Sequence, residues 1–152
     1  MLFNSYSLRM SFQKEKSAGF LANQMARLFA KGLQQRIRPL GLAPAQFMTL
    51  LALWDEDGLT QSELVRRLDV EQATMANTLT RMERDGLIER RTRPDDGRSQ
   101  SVHLTPRAVE LRGPATAAAR AQNEAALAEF SEEERQTFLA LMRRAIGAMH
   151  QD

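Results

Sequence analysis

The stretch that decides the fold runs from residue 71 to residue 104 and reads EQATMANTLTRMERDGLIERRTRPDDGRSQSVHL. Its first half has the apolar spacing of an amphipathic helix that ends near Arg84. Two short β-type runs, 87–92 and 100–104, then flank a charged tip. A helix followed by such a hairpin suits a DNA duplex, because the helix fits the major groove and the hairpin reaches along the backbone to the next minor groove.

The two sides of the 71–84 helix differ in chemistry. On a helical wheel Met75, Leu79 and Met82 cluster on the side that is predicted to face the core. The opposite side is small and polar, so it would let the backbone approach the floor of a groove and offer groups to base edges and phosphates. The residues predicted to contact DNA from this helix are Gln72, Ala73, Thr74, Ala76, Asn77, Thr80, Arg81 and Arg84.

On an isolated helix, such a polar face is more often simply exposed to solvent. The elements next to the helix in the chain therefore decide whether the face is interpreted as a DNA contact. Residues 60–63 (TQSE) match a capping box in which Thr60 and Glu63 cap each other's backbone amides, and this box opens a short helix to Leu68. Asp69 and Val70 then form a tight turn. Two short helices joined by such a turn are a helix-turn-helix, and the helix at 71–84 is its second member.

The hairpin tip is the second candidate DNA contact. Residues 95–97 (DDG) supply turn geometry. Arg98 is predicted to enter a narrow minor groove, whose negative potential attracts arginine, and Asp96 is placed to hold its guanidinium extended. Arg91 and Arg93 complete the predicted wing contacts. Arginine makes up 18 of the 21 cations, although base composition of the genome is an equal explanation for that bias.

The rest of the chain is predicted to be helical. Helices are expected at 17–38 and 44–55, from Thr105 to about Phe130 with a bend at Gly113-Pro114, and from a second capping box at 131–134 to about Met149. The alanine-rich 115–128 segment permits close helix approach, and one copy leaves much apolar area on these helices uncovered. A homodimer is therefore favoured over a purely intramolecular helical pair. In such a dimer the two DNA-binding domains would lie about one DNA turn (roughly 34–36 Å) apart.

Composition sets limits on the class of protein. At 152 residues the chain is long enough for one domain with a real core. The net charge of +2 argues only weakly for nucleic acid, and the absence of cysteine excludes disulfides, thiolate metal sites and thiol-based sensing. The longest apolar run, 47–54, is too short to span a bilayer, and residues 1–16 lack a signal-peptide core. A cytoplasmic protein without membrane contact is expected.

Several motifs together resemble the MarR family of winged helix-turn-helix regulators. They are residues 60–64 (TQSEL), 73–75 (ATM), 81–88 (RMERDGLI), 96–98 (DGR), 102–105 (VHLT) and 131–135 (SEEER). The resemblance covers roughly residues 18–149. It implies that Arg98 is the minor-groove arginine with Asp96 as its orienting partner, that residues 72–84 contact the major groove and phosphates, and that the terminal helices form a two-fold dimer. Members often carry Asp where this chain has Arg93, and Arg where it has Asn77.

The predicted fold is therefore mainly α with a small β-hairpin wing. A winged helix-turn-helix domain at 39–104 is joined to helical dimerisation regions at 17–38 and 105–152, after an N-terminal extension at 1–16. The predicted function is a sequence-specific double-stranded DNA-binding regulator, more plausibly a repressor than an activator, on a pseudo-palindromic operator. The alternatives are a winged-helix module that binds protein and a non-specific architectural DNA binder.

The resemblance also bears on a small effector. The resemblance implies release from DNA by a small, often aromatic or phenolic, ligand between the helical arm and the winged domain. The residues predicted to line such a pocket are Met25, Phe29, Phe47, Met48 and Trp54. A stripe of this kind is more often plain core, so a ligand and no ligand both stay open. No cofactor is predicted. No metal site is predicted either, because His103 and His150 are the only histidines, and no nucleophile–base pair or phosphate-binding glycine loop points to an enzyme.

Overall fold

The computed structural model describes residues 11–95 and 97–150 and consists of six α-helices with a three-stranded sheet. After a 3₁₀ turn at Lys14–Lys16, the elements within these residues follow in chain order. They are α1 (Ala18–Ile37), α2 (Pro44–Asp55), β1 (Leu59–Thr60), α3 (Gln61–Leu68), α4 (Gln72–Arg84), β2 (Ile88–Thr92), β3 (Gln100–Leu104), α5 (Pro106–Ala126) and α6 (Glu132–Met149). The predicted winged helix-turn-helix with flanking helices is confirmed.

Most helix starts coincide with a side chain that accepts a hydrogen bond from the first turn. The hydroxyl groups of Ser17, Thr60, Thr105 and Ser131 each accept the amide N–H three residues on. The box at Ser131 is complete, since Glu134 also accepts from the Ser131 amide at 2.9 Å. The box predicted at Thr60 is wrong in its second half: Thr60 caps the Glu63 amide at 3.2 Å without a return bond from the Glu63 side chain.

The sheet contains a strand that the sequence did not indicate. Strand β3 pairs antiparallel with β2 on one side, in the register Arg90↔Val102, and with the two-residue strand β1 on the other, in the register Leu59↔Val102. Because β1 leads directly into α3, this pairing fixes the start of the helix-turn-helix against the base of the wing.

One core holds the molecule together and crosses the predicted boundaries at residues 38 and 104. It joins Phe47, Leu50 and Leu53 of α2 to Leu79 and Met82 of α4, and it also includes Ile37 of α1 and Ala108 and Ala115 of α5. The division into a reading domain and a dimerisation region thus stays a prediction.

The helical arm formed by α1, α5 and α6 has a different character. At Gly32 of α1 an added Cβ would overlap the side-chain amide of Gln122, so this side chain of α5 lies directly against the α1 backbone there. Helix α5 ends at Ala126, four residues before the predicted end, and it continues through Pro114. None of the 18 residues of α6 is buried. The arm therefore leaves an apolar surface uncovered.

Candidate nucleic-acid interface

The helix-turn-helix is closed by a tight turn and one side-chain clamp. Asp69 ends α3 in the left-handed region, with φ of 54°, and its amide N–H bonds back to Val65. The Gln61 side chain donates to the backbone carbonyl and the side-chain oxygen of Gln72 at 3.3 and 3.1 Å. The first residues of α3 and α4 are thereby joined across the turn.

Helix α4 presents the two faces that its spacing predicts. Met75, Leu79 and Met82 are 2, 0 and 0% exposed, as is expected of the core side, and Thr78 is buried beside them. The predicted contact residues lie on the outer side and its flanks: Gln72, Ala73, Thr74, Asn77, Thr80, Arg81 and Arg84 are exposed and Ala76 is half-buried. Thr80 donates its hydroxyl to Ala76 within the helix, so its methyl group remains for a partner.

The wing follows α4 after a glycine turn. Gly86 has φ of 71°, and the Leu87 amide bonds back to Met82 at 2.9 Å, which ends the helix. The hydroxyl of Thr105 donates to the Gly86 carbonyl at 2.7 Å and closes the base of the hairpin on this turn. Asp96 is outside the described residues, so its predicted pairing with Arg98 stays a prediction.

Arg90 and Arg91 lie on opposite faces of strand β2, because side chains alternate along a strand. Arg91 is exposed and lies 3.8 Å from the Glu89 carboxylate. Arg90 shares the opposite face of the strand with the buried Ile88 and turns toward α4, where its Nη2 reaches Thr80 Oγ1 at 3.5 Å and its Nε lies 3.6 Å from the Glu83 carboxylate. Sequence reasoning left Arg90 out of the contact set, although the period of two after Ile88 is the signal that would have included it.

Arg90 also lines what we term the wing cavity, a space of about 420 Å³ between the wing and the start of α3. The polar residues that line it are Thr60, Gln61, Ser62, Arg90, Arg93, Arg98, Ser99 and Gln100. Three arginines are among the residues that line it, and the described residues that line it include no carboxylate. A cavity of this composition is suited to a singly or doubly charged oxyanion.

A second cationic space, the arm cavity, has a volume of about 450 Å³ and lies where α1 ends, α2 begins and α4 ends. Its polar walls include Gln34, Arg38, Gln46, Arg81, Arg84 and Asp85. The Asp85 carboxylate accepts from Gln46 Nε2 at 2.9 Å and from Arg84 Nε at 3.1 Å. These hydrogen bonds, that from Arg84 first, lower the pKa of Asp85 below its ordinary value of 3.8.

The five residues predicted for an effector pocket lie in three different surroundings within the described residues. Phe47 and Trp54 belong to the core, with their rings edge to face and centroids 6.1 Å apart, and the Trp54 indole donates to the Ala108 carbonyl at 3.0 Å. Met48 is 46% exposed on α2. Only Met25 and Phe29 line an apolar groove, of about 670 Å³, between α1, the end of α5, and α6.

Two other features can be stated for the described residues. No group of three histidine or carboxylate side chains there is placed to hold a metal ion. None of the helices in the same residues is long and apolar enough to cross a membrane.

Comparison with known proteins identifies the family. Residues 42–100, which hold the helix-turn-helix and most of the wing, match the model of the MarR family. The helix-turn-helix regulator YwoH of Bacillus subtilis, itself described as uncharacterized, is 33% identical over 121 residues, which is 80% of this chain and 88% of that protein. The chain belongs to the MarR family. Its members are DNA-binding transcriptional regulators and not enzymes.

Two other comparisons extend the likeness to the arm. A probable transcriptional regulator from Pseudomonas aeruginosa, known from a crystal structure, is 32% identical with a TM-score of 0.81, covering 88% of this chain and 99% of that chain. A protein of Mycobacterium tuberculosis named as a transcriptional repressor is 26% identical over 135 residues, covering 89% of this chain and 97% of that protein. The MarR likeness therefore includes α1 and α5 as well as the reading domain.

Proposed function

We propose that this MarR-family chain is a homodimeric repressor that reads a pseudo-palindromic operator with α4 in the major groove and the wing in the adjoining minor groove. The observation that carries the proposal is the outer face of α4, where Ala73, Asn77 and Thr80 form a small polar surface beside two arginine-lined cavities. Small side chains at the centre let the helix approach base edges, while arginine on both flanks matches the phosphates that border a groove.

The assignment of the contacts follows from side-chain chemistry. Asn77 has the donor and acceptor that recognise an adenine edge, and Thr80 offers a methyl group to thymine. Arg98 and Arg93 stand at the wing, where a narrow minor groove concentrates negative potential. Arg91, exposed on the outer face of β2, would add a backbone contact further along the duplex.

Support for a homodimer comes from the arm. Phe20, Leu28, Leu139 and Ile146 are between 40 and 60% exposed, and Met149 is 69% exposed. Large apolar side chains so exposed on α1 and α6 are unusual on a monomer and typical of an interface. A second copy placed with two-fold symmetry would cover this surface and set the two α4 helices on successive turns of one DNA face.

The repressor role rests on a simple physical argument. A dimer that occupies a promoter blocks it without further contacts, and the described residues contain no element beyond the arm and the reading domain. The name of the Mycobacterium tuberculosis relative is in keeping with this role. Release by a small aromatic ligand is the finer part of the proposal, and Met25 and Phe29 are the two predicted residues that the fold brings into one groove.

Selection from a pool of random duplexes tests the proposal. A homodimeric reader should enrich an inverted repeat whose half-sites are centred about 10 base pairs apart, or a multiple of that spacing. Enrichment of a single half-site would contradict the dimer. Retention of duplexes without any enriched sequence would instead favour the architectural DNA binder, and failure to retain duplexes at low salt would favour the protein-binding module.

A further inference from the structure

A chain of polar contacts centred on His103 crosses one face of the sheet at the base of the wing. The Nε2 atom of His103 lies 2.7 Å from the hydroxyl oxygen of Ser101, and that hydroxyl donates to the Arg91 carbonyl at 3.3 Å. On the other side of the ring, Nδ1 lies 4.0 Å from the Asp57 carboxylate. The chain therefore connects β2, β3 and the turn that precedes β1.

The directions of these hydrogen bonds determine which ring nitrogen of a neutral His103 carries the proton. The Ser101 hydroxyl has one hydrogen, and it is used on the Arg91 carbonyl, so the hydroxyl oxygen accepts from the ring. Nε2 therefore carries the N–H, and Nδ1 of the neutral ring is an acceptor that faces a carboxylate. A proton added at Nδ1 supplies the donor that this contact lacks, so the cation satisfies the whole chain and the neutral ring does not.

Close packing holds the ring against the turn. Gly58 has φ of 79°, and an added Cβ there would lie 3.1 Å from Cε1 of His103, so the ring covers this glycine. The Oδ1 atom of Asp57 accepts the amide N–H groups of Gly58 and Leu104 at 3.0 and 2.9 Å. These bonds fix the carboxylate and leave Oδ2 as the atom that faces Nδ1.

The charged groups that share this face with the ring come from β2 and from the turn. Glu89 lies directly opposite His103 in the antiparallel register, and its carboxylate lies 3.8 Å from the Arg91 guanidinium. Asp57 faces the ring from the other side. Helices α2, α3 and α5 meet the sheet from the side away from the ring, because they share the core with Val102. Since Glu89 is paired with Arg91, Asp57 is the carboxylate that a protonated ring would bind.

We propose that protonation of His103 at Nδ1 closes a hydrogen bond to Asp57 and thereby couples the DNA affinity of this chain to pH near neutrality. The inference rests on the function proposed above, because it requires the wing to contact the duplex. Imidazole is the side chain whose charge ordinarily changes between about pH 5 and pH 8. The new bond would fasten the wing to the turn before β1, so less conformational freedom is lost on binding.

The added charge acts in the same direction as the added bond. Arg91, the proposed backbone contact of β2, lies on the same face of the sheet as His103. A second cation on this face attracts the phosphate backbone further. Acidification should therefore tighten binding to DNA through this one residue.

The pH dependence of DNA affinity tests the inference. The parent and His103→Gln are titrated with the selected duplex at constant salt between about pH 6 and pH 8, the range in which imidazole changes charge. On acidification across this range the affinity of the parent should rise by about 5-fold more than that of the variant, a factor typical of weak coupling between two sites. Asp57→Asn keeps an oxygen for the two amides but removes the charge, and it should lose the same gain.

His150 provides the matched control, since it is the only other histidine of the chain. It is exposed at the end of α6, where its Nε2 lies 2.8 Å from Asp69 of the turn between α3 and α4. Exposed pairs of this kind contribute little. His150→Gln should therefore keep the pH dependence of the parent.

Nuclear magnetic resonance tests the contact itself without DNA. Long-range proton–nitrogen spectra of the two imidazole rings, assigned with His150→Gln, report the protonated nitrogen of each ring. The neutral His103 ring should carry its proton on Nε2, and a ring protonated on Nδ1 instead would overturn the inference.

The outcomes separate this inference from the function on which it rests. If the parent binds no duplex at either end of the pH range, the proposed function fails and the coupling fails with it. If the parent binds, and His103→Gln keeps the pH dependence of the parent or His150→Gln removes it, the function stands and the role of His103 is wrong.

Discussion

The side chain of Gln46 joins the first turn of α2 to the residue that ends α4. Its Nε2 donates to the Asp85 carboxylate at 2.9 Å, and its Oε1 accepts from the Ala43 amide at 3.0 Å. Gln46 is only 5% exposed, so both ends of a buried amide are satisfied by these two bonds. The carboxyl-terminal end of the reading helix is thus anchored to the helical frame through this polar contact.

Replacing Asp85 tests this anchor. We expect Asp85→Ala to lower the free energy of unfolding by about 1–3 kcal/mol, because the Gln46 Nε2 would be left buried without an acceptor. Urea unfolding followed by circular dichroism measures the change. Asp85→Asn keeps an oxygen acceptor at the same place and should lose distinctly less. Equal losses in the two variants would show that the bond to Gln46 is not what matters at this position.

The same carboxylate predicts a dependence of stability on pH. The hydrogen bonds from Arg84 and Gln46 lower the pKa of Asp85 from its ordinary value of 3.8. Its contribution to stability is therefore complete above the unfolded-state pKa and is lost as the pH falls through the lower folded-state pKa. The difference in unfolding free energy between the parent and Asp85→Asn should stay constant near neutral pH and shrink below about pH 4. A difference that grows on acidification would contradict this sign.

Substitutions of Asn77 and of Arg98 should impair DNA binding in different ways. Arg98→Ala is expected to weaken binding to all duplexes, since a wing contact to the minor groove reads shape and charge. Asn77→Ala should instead change the preference among sequences, at a cost of about 1–3 kcal/mol at one base position of each half-site. Competition binding against single-base variants of the selected operator measures both. If both variants bind every duplex like the parent, the site is wrongly assigned.

The arm provides a test of the dimer with a matched control. Ile146 lines the apolar groove on α6, whereas Ala148, two residues on, is exposed and lies on the far side of the helix. Ile146→Lys should dissociate the dimer, because it would place a charge in a buried apolar contact. Ala148→Lys should leave the dimer intact. Sedimentation equilibrium measures the mass, and a monomeric parent or a dimeric Ile146→Lys would refute the arm as the interface.

The parts of the fold that the sequence predicts correctly are those marked by residues close together in the chain. Helix starts at Ser17, Thr105 and Ser131 were predictable because a capping hydroxyl acts within three residues. Strand β1 was not, since two residues carry no period and its partner β3 is about forty residues away. The end of α5 was placed too late because the apolar pattern continues past Leu127, where the chain instead turns and packs Phe130 edge to face on Phe138 at 5.5 Å.

The candidate site was predictable in part, for a related reason. Periodicity identified the outer face of α4, because core and surface alternate along one helix. Periodicity does not distinguish residues that line a pocket from residues of the core. Phe47 and Trp54 were therefore included in the predicted effector pocket, although they are buried. The arginine cavities were also out of reach, because Arg38 and Arg84, or Ser62 and Arg98, meet only through the tertiary fold.

The most direct test of the central claim is an anisotropy titration of the selected duplex at near-physiological salt with excess competitor DNA. Reading by a homodimer predicts binding that the competitor does not displace, with two chains on each duplex, and loss of that resistance when both half-sites are scrambled. Binding that the competitor displaces as readily as it displaces a scrambled duplex would contradict the claim that this chain reads DNA sequence through α4.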